Sequence, residues 1–559
     1  MQYKSTFLHP VLLLVIATAS IEGCGVEGPL DNESRGEGQD VGEEVARTSQ
    51  EVIPGTTTPA ANGSWDSSPS STQDLSTNSG YWSDQQISVS RTHVVVTQRA
   101  SIGYYTRQGT MLQHLTGNSF FSSVLPPGST GVFDLRTVYD EYRNRFVVTG
   151  LANASAGNES RGLIAVSVGS DPRSGWCVYW VGGPSPRQNY DYDQVAVSAT
   201  AYIMTYTASG LNLIQMLPAA AMASCSSSLT GMWTFYNPTL QTGNGAAPGL
   251  ISPAMMHHTS VPTHDFFYAV TRYDTNKVTV WKVTDPILST RTLQAYNITL
   301  PGETFLNAFG NGDGIGAPQS GTTFKVGMYL WDGVTYTQPL KAVYNGAQGE
   351  LAFVTNDAHD WGSGTAASIR VVALVPESST IRKNRKWGAS GFHYGWPSIE
   401  SNSAGDYAIS FMRTGSSSFP EARYSAWGVG DADIRGSSLM RTNGIAYSNP
   451  GACGSYCSRN SVTNGHETAS ATRDPDGTSI WFSTQLPEVP RAQSFTQWVN
   501  KVYGNSLCSH EICSTGGALV SGCQQCVTQI CAADSFCCST SWDSICVGEV
   551  ASICSISCP

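Results

Sequence analysis

Ten histidines occur in 559 residues, and three of them, His257, His258 and His264, fall within eight positions. Others sit beside partners that could share a proton: His359-Asp360-Trp361, His393-Tyr394 and His466-Glu467. An imidazole next to a phenol could abstract the C5 proton of a uronic acid. Imidazoles gathered in space could instead hold a metal ion, whose identity the spacing leaves unknown. The plain alternative is that these side chains close strands and hydrogen-bond loop backbone. His258, His264, His393 and Tyr394 are the catalytic candidates under the first reading.

A second set of residues is aromatic. Trp387, Tyr394 and Trp396, with Trp361 and Trp427 nearby in sequence, could stack on the apolar faces of sugar rings; equally, they could fill a core. The Asn311-Gly312-Asp313-Gly314 stretch resembles a fragment of a calcium loop without its remaining oxygen ligands. Structural calcium is the cofactor this stretch would allow. The sequence holds no HExxH, GxSxG, GxGxxG or P-loop in a usable context.

The elements that must position these residues are short strands. His93-Val94-Val95-Val96-Thr97, Arg145-Phe146-Val147-Val148, Tyr202-Ile203-Met204-Thr205-Tyr206 and Tyr407-Ala408-Ile409-Ser410-Phe411 are β-branched or aromatic runs bounded by turn formers. Helical periodicity is lacking between 81 and 503. Four segments repeat one outline of strand, tight polar turn and strand, turning at Tyr142-Arg143-Asn144, Ser198-Ala199-Thr200, Asn402 to Asp406 and Asp474 to Gly477. One such hairpin per repeat predicts an all-β propeller. The blades fall near 85–125, 132–182, 189–237, 249–298, 303–375, 393–447 and 461–503. Seven is the favoured count, six or eight are alternatives, and a large β-sandwich pair is the rival architecture. The fifth repeat is long, so an insertion from Asn307 to Gly321 should project from the rim.

Composition sets the surroundings. Charged residues make up 13% of the chain, against roughly 25% in an average soluble protein. A net charge of −11 argues against nucleic acid as a partner. Residues 24–80 are acidic and then Ser/Thr/Pro/Gly-rich, which predicts a disordered tether. Residues 1–23 read as a signal peptide: Lys4 precedes the apolar run Val11 to Ala17, which is too short to span a bilayer.

That signal ends in Ile21-Glu22-Gly23-Cys24, which resembles the lipobox of bacterial lipoproteins, with Glu22 departing from the usual small residue. The resemblance implies a lipid on Cys24 and the outer membrane as a partner, the chain being exported to the outer membrane or cell surface or released outside the cell. Fifteen cysteines then leave fourteen to pair, as an oxidising compartment requires. Cys177 with Cys225 and Cys453 with Cys457 are the expected local pairs. Cys508, Cys513, Cys523, Cys526, Cys531, Cys537, Cys538, Cys546, Cys554 and Cys558 crowd residues 504–559, where five disulfides would stabilise a core too small to stand alone. A zinc ribbon using Cys523 and Cys526 is the rival. The paired Cys537-Cys538 and the run Trp542-Asp543-Ser544-Ile545-Cys546 resemble a cysteine-rich module at the C-termini of secreted proteins of myxobacteria and related groups.

Within the body, Ser170-Asp171-Pro172-Arg173-Ser174-Gly175-Trp176 is a loose form of the Asp box, and Asp474 to Trp481 a poorer one. On these residues the body resembles sialidase-like and BNR-type propellers. That family's catalysis uses an arginine triad, a Tyr–Glu pair and an acidic Asp, and no three arginines here can be assigned to the triad. The primary expectation is thus a surface lipoprotein whose propeller binds glycans or another surface protein. The alternative is a secreted polysaccharide lyase or glycosidase acting from the central pocket, for which convergent carboxylates or a His/Tyr pair would speak.

Overall fold

The computed structural model describes residues 61–66 and 85–558 with breaks at 130, 155–158, 183–189, 209, 237–238, 303–315, 324, 328–337, 447–461, 464–469, 488–494, 504–511, 520–524 and 555–557. Cys24, Cys453, Cys457, Cys508, Cys523, His466 and the Asn311 to Gly314 stretch lie outside the described residues.

Seven four-stranded antiparallel blades make up the body among the described residues. The innermost strands are, in order, Gln86–Val89, Val132–Asp140, Tyr190–Val197, Ser252–His257, Lys341–Asn345, Phe392–Ser401 and Ser470–Arg473. Each of the first six blades continues outward through three consecutive antiparallel strands. The seventh closes differently. Its fourth strand is Ala61–Asp66, which pairs antiparallel with Phe495–Tyr503. Ala61–Asp66 therefore leaves the expected tether and joins the propeller; composition reads local solvation, whereas this strand is fixed by the edge it pairs with. Closure of the ring by the chain's early part leaves no blade with a missing edge.

Blades four and five share a continuous sheet, because the inner strands Ser252–His257 and Lys341–Asn345 pair in parallel from Ala254↔Ala342 to His257↔Asn345. The fifth blade runs from Lys341 to Trp387, later than the expected 303–375. What precedes it is an insertion whose short strands Gly316–Ala317 and Lys325–Gly327 form a small sheet with Val462–Thr463.

Strands such as His93–Gln98 and Arg145–Ala152 are buried along nearly their whole length. Blades stack face to face, so both faces of a middle strand are covered and continuous apolar runs replace alternation. The inner strands carry a second repeat that the sequence does not announce. In blades two, three and six the pairing register slips at Phe133/Arg136, Asp191/Gln194 and Gly395/Ser398. Asp134, Tyr192 and Trp396 sit at these bulges with φ of 51°, 54° and 58°. A bulge re-aims the residues that follow it, and here those include Arg136 and Asp193, which pair between neighbouring blades at 3.5 Å.

The C-terminal region is a separate small core. Helices Gln525–Ala533, Phe536–Ser539 and Ser544–Cys554 surround Trp542, Val527, Ile530 and Val550. Among the described residues four disulfides tie it: Cys513–Cys558, Cys526–Cys554, Cys531–Cys538 and Cys537–Cys546. Cys526 is thereby a disulfide partner and not a zinc ligand. In the body, Cys177 bonds Cys225.

Candidate functional site

Residues from non-adjacent blades of a propeller can touch only at its axis, and a charged group does so here. His257 closes the inner strand of blade four, and its Nε2 lies 2.8 Å from Oε1 of Glu400 on blade six. Its Nδ1 lies 3.8 Å from Oε2 of Glu141, in the first turn of blade two. Glu141 in turn accepts a two-pronged contact from Arg473 of blade seven, Nε to Oε1 at 3.0 Å and Nη2 to Oε2. All four belong to the ends of inner strands or the turns that follow them, so they occupy one end of the propeller axis. Glu400 is 1% exposed and Glu141 27%. Glu141 is thus the most exposed of the four, with its partner Arg473 also partly exposed.

Both carboxylates are held ionised. Burial pushes the Glu141 carboxyl up, but Arg473 and His257 outweigh burial and leave it below the usual carboxylate range. Burial acts likewise on Glu400 and is outweighed by His257, by Lys341 and by the Ser401 N–H, which donates at 2.8 Å. The imidazole occupies the space between the two carboxylates.

An aromatic group lies beside this cluster, on the same side of the ring. The His258 ring is enclosed by Phe266 at 4.9 Å, Tyr344 at 5.6 Å and Tyr142 at 6.5 Å between centroids. Tyr142 is the neighbour of Glu141 in the blade-two turn; its hydroxyl donates to the Met256 carbonyl at 2.5 Å. Lys282 covers Phe266 at 4.4 Å. Tyr142, Phe266 and Tyr344 remain partly exposed around the enclosed imidazole. Asp265 anchors the group from below: it accepts from Ser198 Oγ at 2.7 Å and Thr200 Oγ1 at 2.6 Å, and lies 3.6 Å from His258 Nε2.

The residues singled out from sequence part company. His258 joins this face and His264 does not: its side chain is 74% exposed and pairs with Asp285 at 3.0 Å. His393 accepts the Ala367 N–H through Nδ1 at 3.2 Å, tying blade six to blade five. Burial, with a smaller push from Lys325, lowers its pKa to about 4, so it is neutral at ordinary pH. Tyr394 is fully buried against Trp387 and Phe411. The pair His393-Tyr394 is a piece of the blade interface, because neighbours in a strand point to opposite faces. Trp387, Tyr394 and Trp396 are likewise enclosed in the core, so the expected stacking platform does not reach a surface: the broad rings fill the space between blades.

Glu141, Glu400, Arg473 and Lys341 were not legible as a site from sequence. The available signal was a charged residue at the end of an otherwise apolar inner strand, next to the repeated hairpin turns. Of the two Asp-box-like segments, the first behaves as a box: Asp171 caps Arg173 N–H at 2.9 Å and the Trp176 indole donates to the Pro172 carbonyl at 2.7 Å, between third and fourth strands. The second sits between first and second strands, where Asp474 accepts from the Trp481 indole at 2.8 Å. Among the described residues one group could gather around a metal, Asp534, Cys537 and Glu549, and its cysteine is in a disulfide.

A family model described as "Domain of unknown function (DUF8252)" matches residues 506–558. No curated protein matches the chain. Among solved structures the chain is similar to an alpha-L-arabinanase of Penicillium chrysogenum, with 8% identity and a TM-score of 0.34, covering 80% of this chain and 99% of that one. A Hadza microbial sialidase gives 10% identity and a TM-score of 0.34, covering 81% and 71%. An exo-beta-1,3-galactanase of Phanerochaete chrysosporium gives 10% and 0.27, covering 66% and 81%. Likeness at this level says nothing about chemistry, which must be read from the site.

Proposed function

We propose that this chain is an exported surface lipoprotein whose propeller binds glycan on the face that carries Glu141, Tyr142, His258 and Tyr344. The observation that carries the reading is the partly exposed aromatic group placed directly beside the axial Glu141–Arg473 pair. Aromatic rings take the C–H faces of sugars, and a fixed carboxylate and guanidinium take their hydroxyls. The axial geometry supports binding over cleavage. A glycosidase needs one carboxyl kept protonated and room for water or a sugar ring between the pair. Here both carboxylates are driven toward the charged form and an imidazole fills the gap.

Cleavage is the second reading, favoured by the convergence of Glu141, Glu400 and His257 alone. One experiment separates the two. The mature chain is screened against a polysaccharide panel, following both retention and release of reducing ends or unsaturated products. Retention without products, weakened about tenfold or more by Tyr344→Ala, supports binding. Product formation abolished by Glu400→Gln makes the enzyme reading primary.

The surface anchor is proposed from Ile21-Glu22-Gly23-Cys24 and the pairing of the other cysteines. The disulfides suit an oxidising compartment, and no helix of the described residues is long and apolar enough to cross a membrane. A fatty-acid analogue should label the wild type; equal labelling of Cys24→Ala would refute the anchor.

A further inference from the structure

The C-terminal module repeats a short motif that the glycan reading does not use. Asp534-Ser535-Phe536-Cys537 and Asp543-Ser544-Ile545-Cys546 both read Asp-Ser-apolar-Cys, and their cysteines are bonded to each other. In each copy the Asp carboxylate accepts the N–H of the apolar residue at 2.9 Å, at the start of a helix. The Cα atoms of the two cysteines are 5.8 Å apart. Phe536 and Ile545 each precede one of them, so their own Cα atoms lie within about 13 Å of each other. Cys537 and Cys546 are buried, while Phe536 is 44% and Ile545 66% exposed. No other large apolar side chain of the module is as exposed among the described residues.

Two further features surround this apolar pair. Ile545, Gly548 and Glu549 share one face of the helix Ser544–Cys554, three and four positions apart. Glu549 reaches across to the other helix, with its Oε2 3.7 Å from Cys537 Sγ. An oxygen of Asp534 lies within 4.8 Å of both atoms, and Asp543 is held against Cys546 through its N–H at 3.1 Å. Three carboxylates therefore rim the pair. From 504 to 559 the chain carries Glu511, Asp534, Asp543 and Glu549 and neither Lys nor Arg. Gly548 is the second feature. Glycine weakens a helix interior relative to alanine, yet nothing lies within 4 Å of where its Cβ would stand. No neighbour in the chain requires bare backbone there; a partner packing closely on this face does.

We infer that Phe536, Ile545 and the bare Gly548 form a docking surface for a basic amphipathic helix of another protein. Apolar side chains of the partner cover Phe536 and Ile545, and its backbone approaches closely at Gly548. Its Lys or Arg side chains meet Asp534, Asp543 and Glu549 around the edge. Charge selects this occupant. A second copy of the module brings the same carboxylates and no cation, and an anionic membrane surface is repelled in the same way. The site is independent of the glycan face on the propeller.

The probe is a dye-labelled Leu/Lys peptide of about five helical turns, titrated with the full chain and followed by fluorescence anisotropy. Peptides of the same pattern with Glu in place of Lys, or Ser in place of Leu, are the controls. The wild type should bind the Leu/Lys peptide, less tightly as salt rises. Phe536→Ser combined with Ile545→Ser should weaken binding about tenfold or more, the scale of losing anchoring side chains. Gly548→Leu, which suits a helix, should weaken it several-fold by filling the face. Melting curves and intact disulfides by mass spectrometry establish that the variants are folded. Equal affinity in the folded double variant overturns the site. So does equal binding of the Lys/Ser peptide, since the chain's net charge of −11 then suffices. Tighter binding of the Leu/Glu peptide overturns the selection by charge. Dimerisation of the wild type that disappears in the double variant seats a second copy on this face and overturns the partner.

Discussion

His257 and Glu400 meet at 2.8 Å although 143 positions and an entire blade separate them. The contact crosses the axis and joins the fourth blade to the sixth. With the Glu141–Arg473 pair, it links blades two, four, six and seven through one network.

The first prediction concerns what happens when this network is cut. In His257→Leu the Glu400 carboxylate keeps its burial and loses its closest partner, so the fold should lose about 3 kcal/mol in urea unfolding. Adding Glu400→Met removes the stranded charge and should recover most of that loss. Because the folded Glu400 titrates below the usual carboxylate range, its contribution is present above the unfolded value. It is lost as pH falls through the folded one. The double variant should lack this part of the acid transition.

His393 predicts a second, separate pH window. Its folded pKa of about 4 lies below the unfolded value of roughly 6.5. Between these values the unfolded chain takes up the proton first, so stability falls as pH drops from 6.5 toward 4 and levels off below. The full effect is up to about 3 kcal/mol. His393→Gln should flatten that interval of the stability–pH curve. An unchanged curve would show that the imidazole does not remain a neutral acceptor of the Ala367 N–H.

The Cys177–Cys225 bond fastens the outermost strand of blade two, Trp176–Val181, to the segment ahead of the outermost strand of blade three. The Tyr179 hydroxyl adds a hydrogen bond to the Met222 carbonyl at 3.3 Å. Replacing both cysteines by serine should cost on the order of 3 kcal/mol. Limited proteolysis should then cut first between 224 and 232, where the chain is largely exposed.

The C-terminal module offers a clean optical test. Trp542 is the single tryptophan after residue 504; it is fully buried, and its indole donates to the Ile512 carbonyl at 2.9 Å. In a fragment of residues 505–559, oxidised protein should show blue-shifted emission that moves red on reduction. Asp543→Ala should weaken the same fragment by about 1 kcal/mol, because Asp543 Oδ1 caps the N–H groups of Ile545 at 2.9 Å and Cys546 at 3.1 Å.

By itself the sequence determined the all-β body, its repeating hairpins and the disulfide-rich end, and it favoured seven blades over six or eight. These follow from short-range rules: turn chemistry at Tyr142 to Asn144 or Asn402 to Asp406, strand composition, and cysteine density. It also singled out the histidines around His257, without their partners. Tertiary structure alone decided the rest. Trp387, Tyr394 and Trp396 have the composition of a ligand platform and sit in the core, since large rings fill a blade interface as well as they bind a sugar. Ala61–Asp66 reads as tether and closes the ring, because a strand's place depends on the edge that awaits it. Glu141, Glu400, Arg473 and Lys341 lie on four different blades and come together only at the axis. No spacing along the chain encodes that meeting, because closure of the ring, not sequence separation, sets which strand ends face one another.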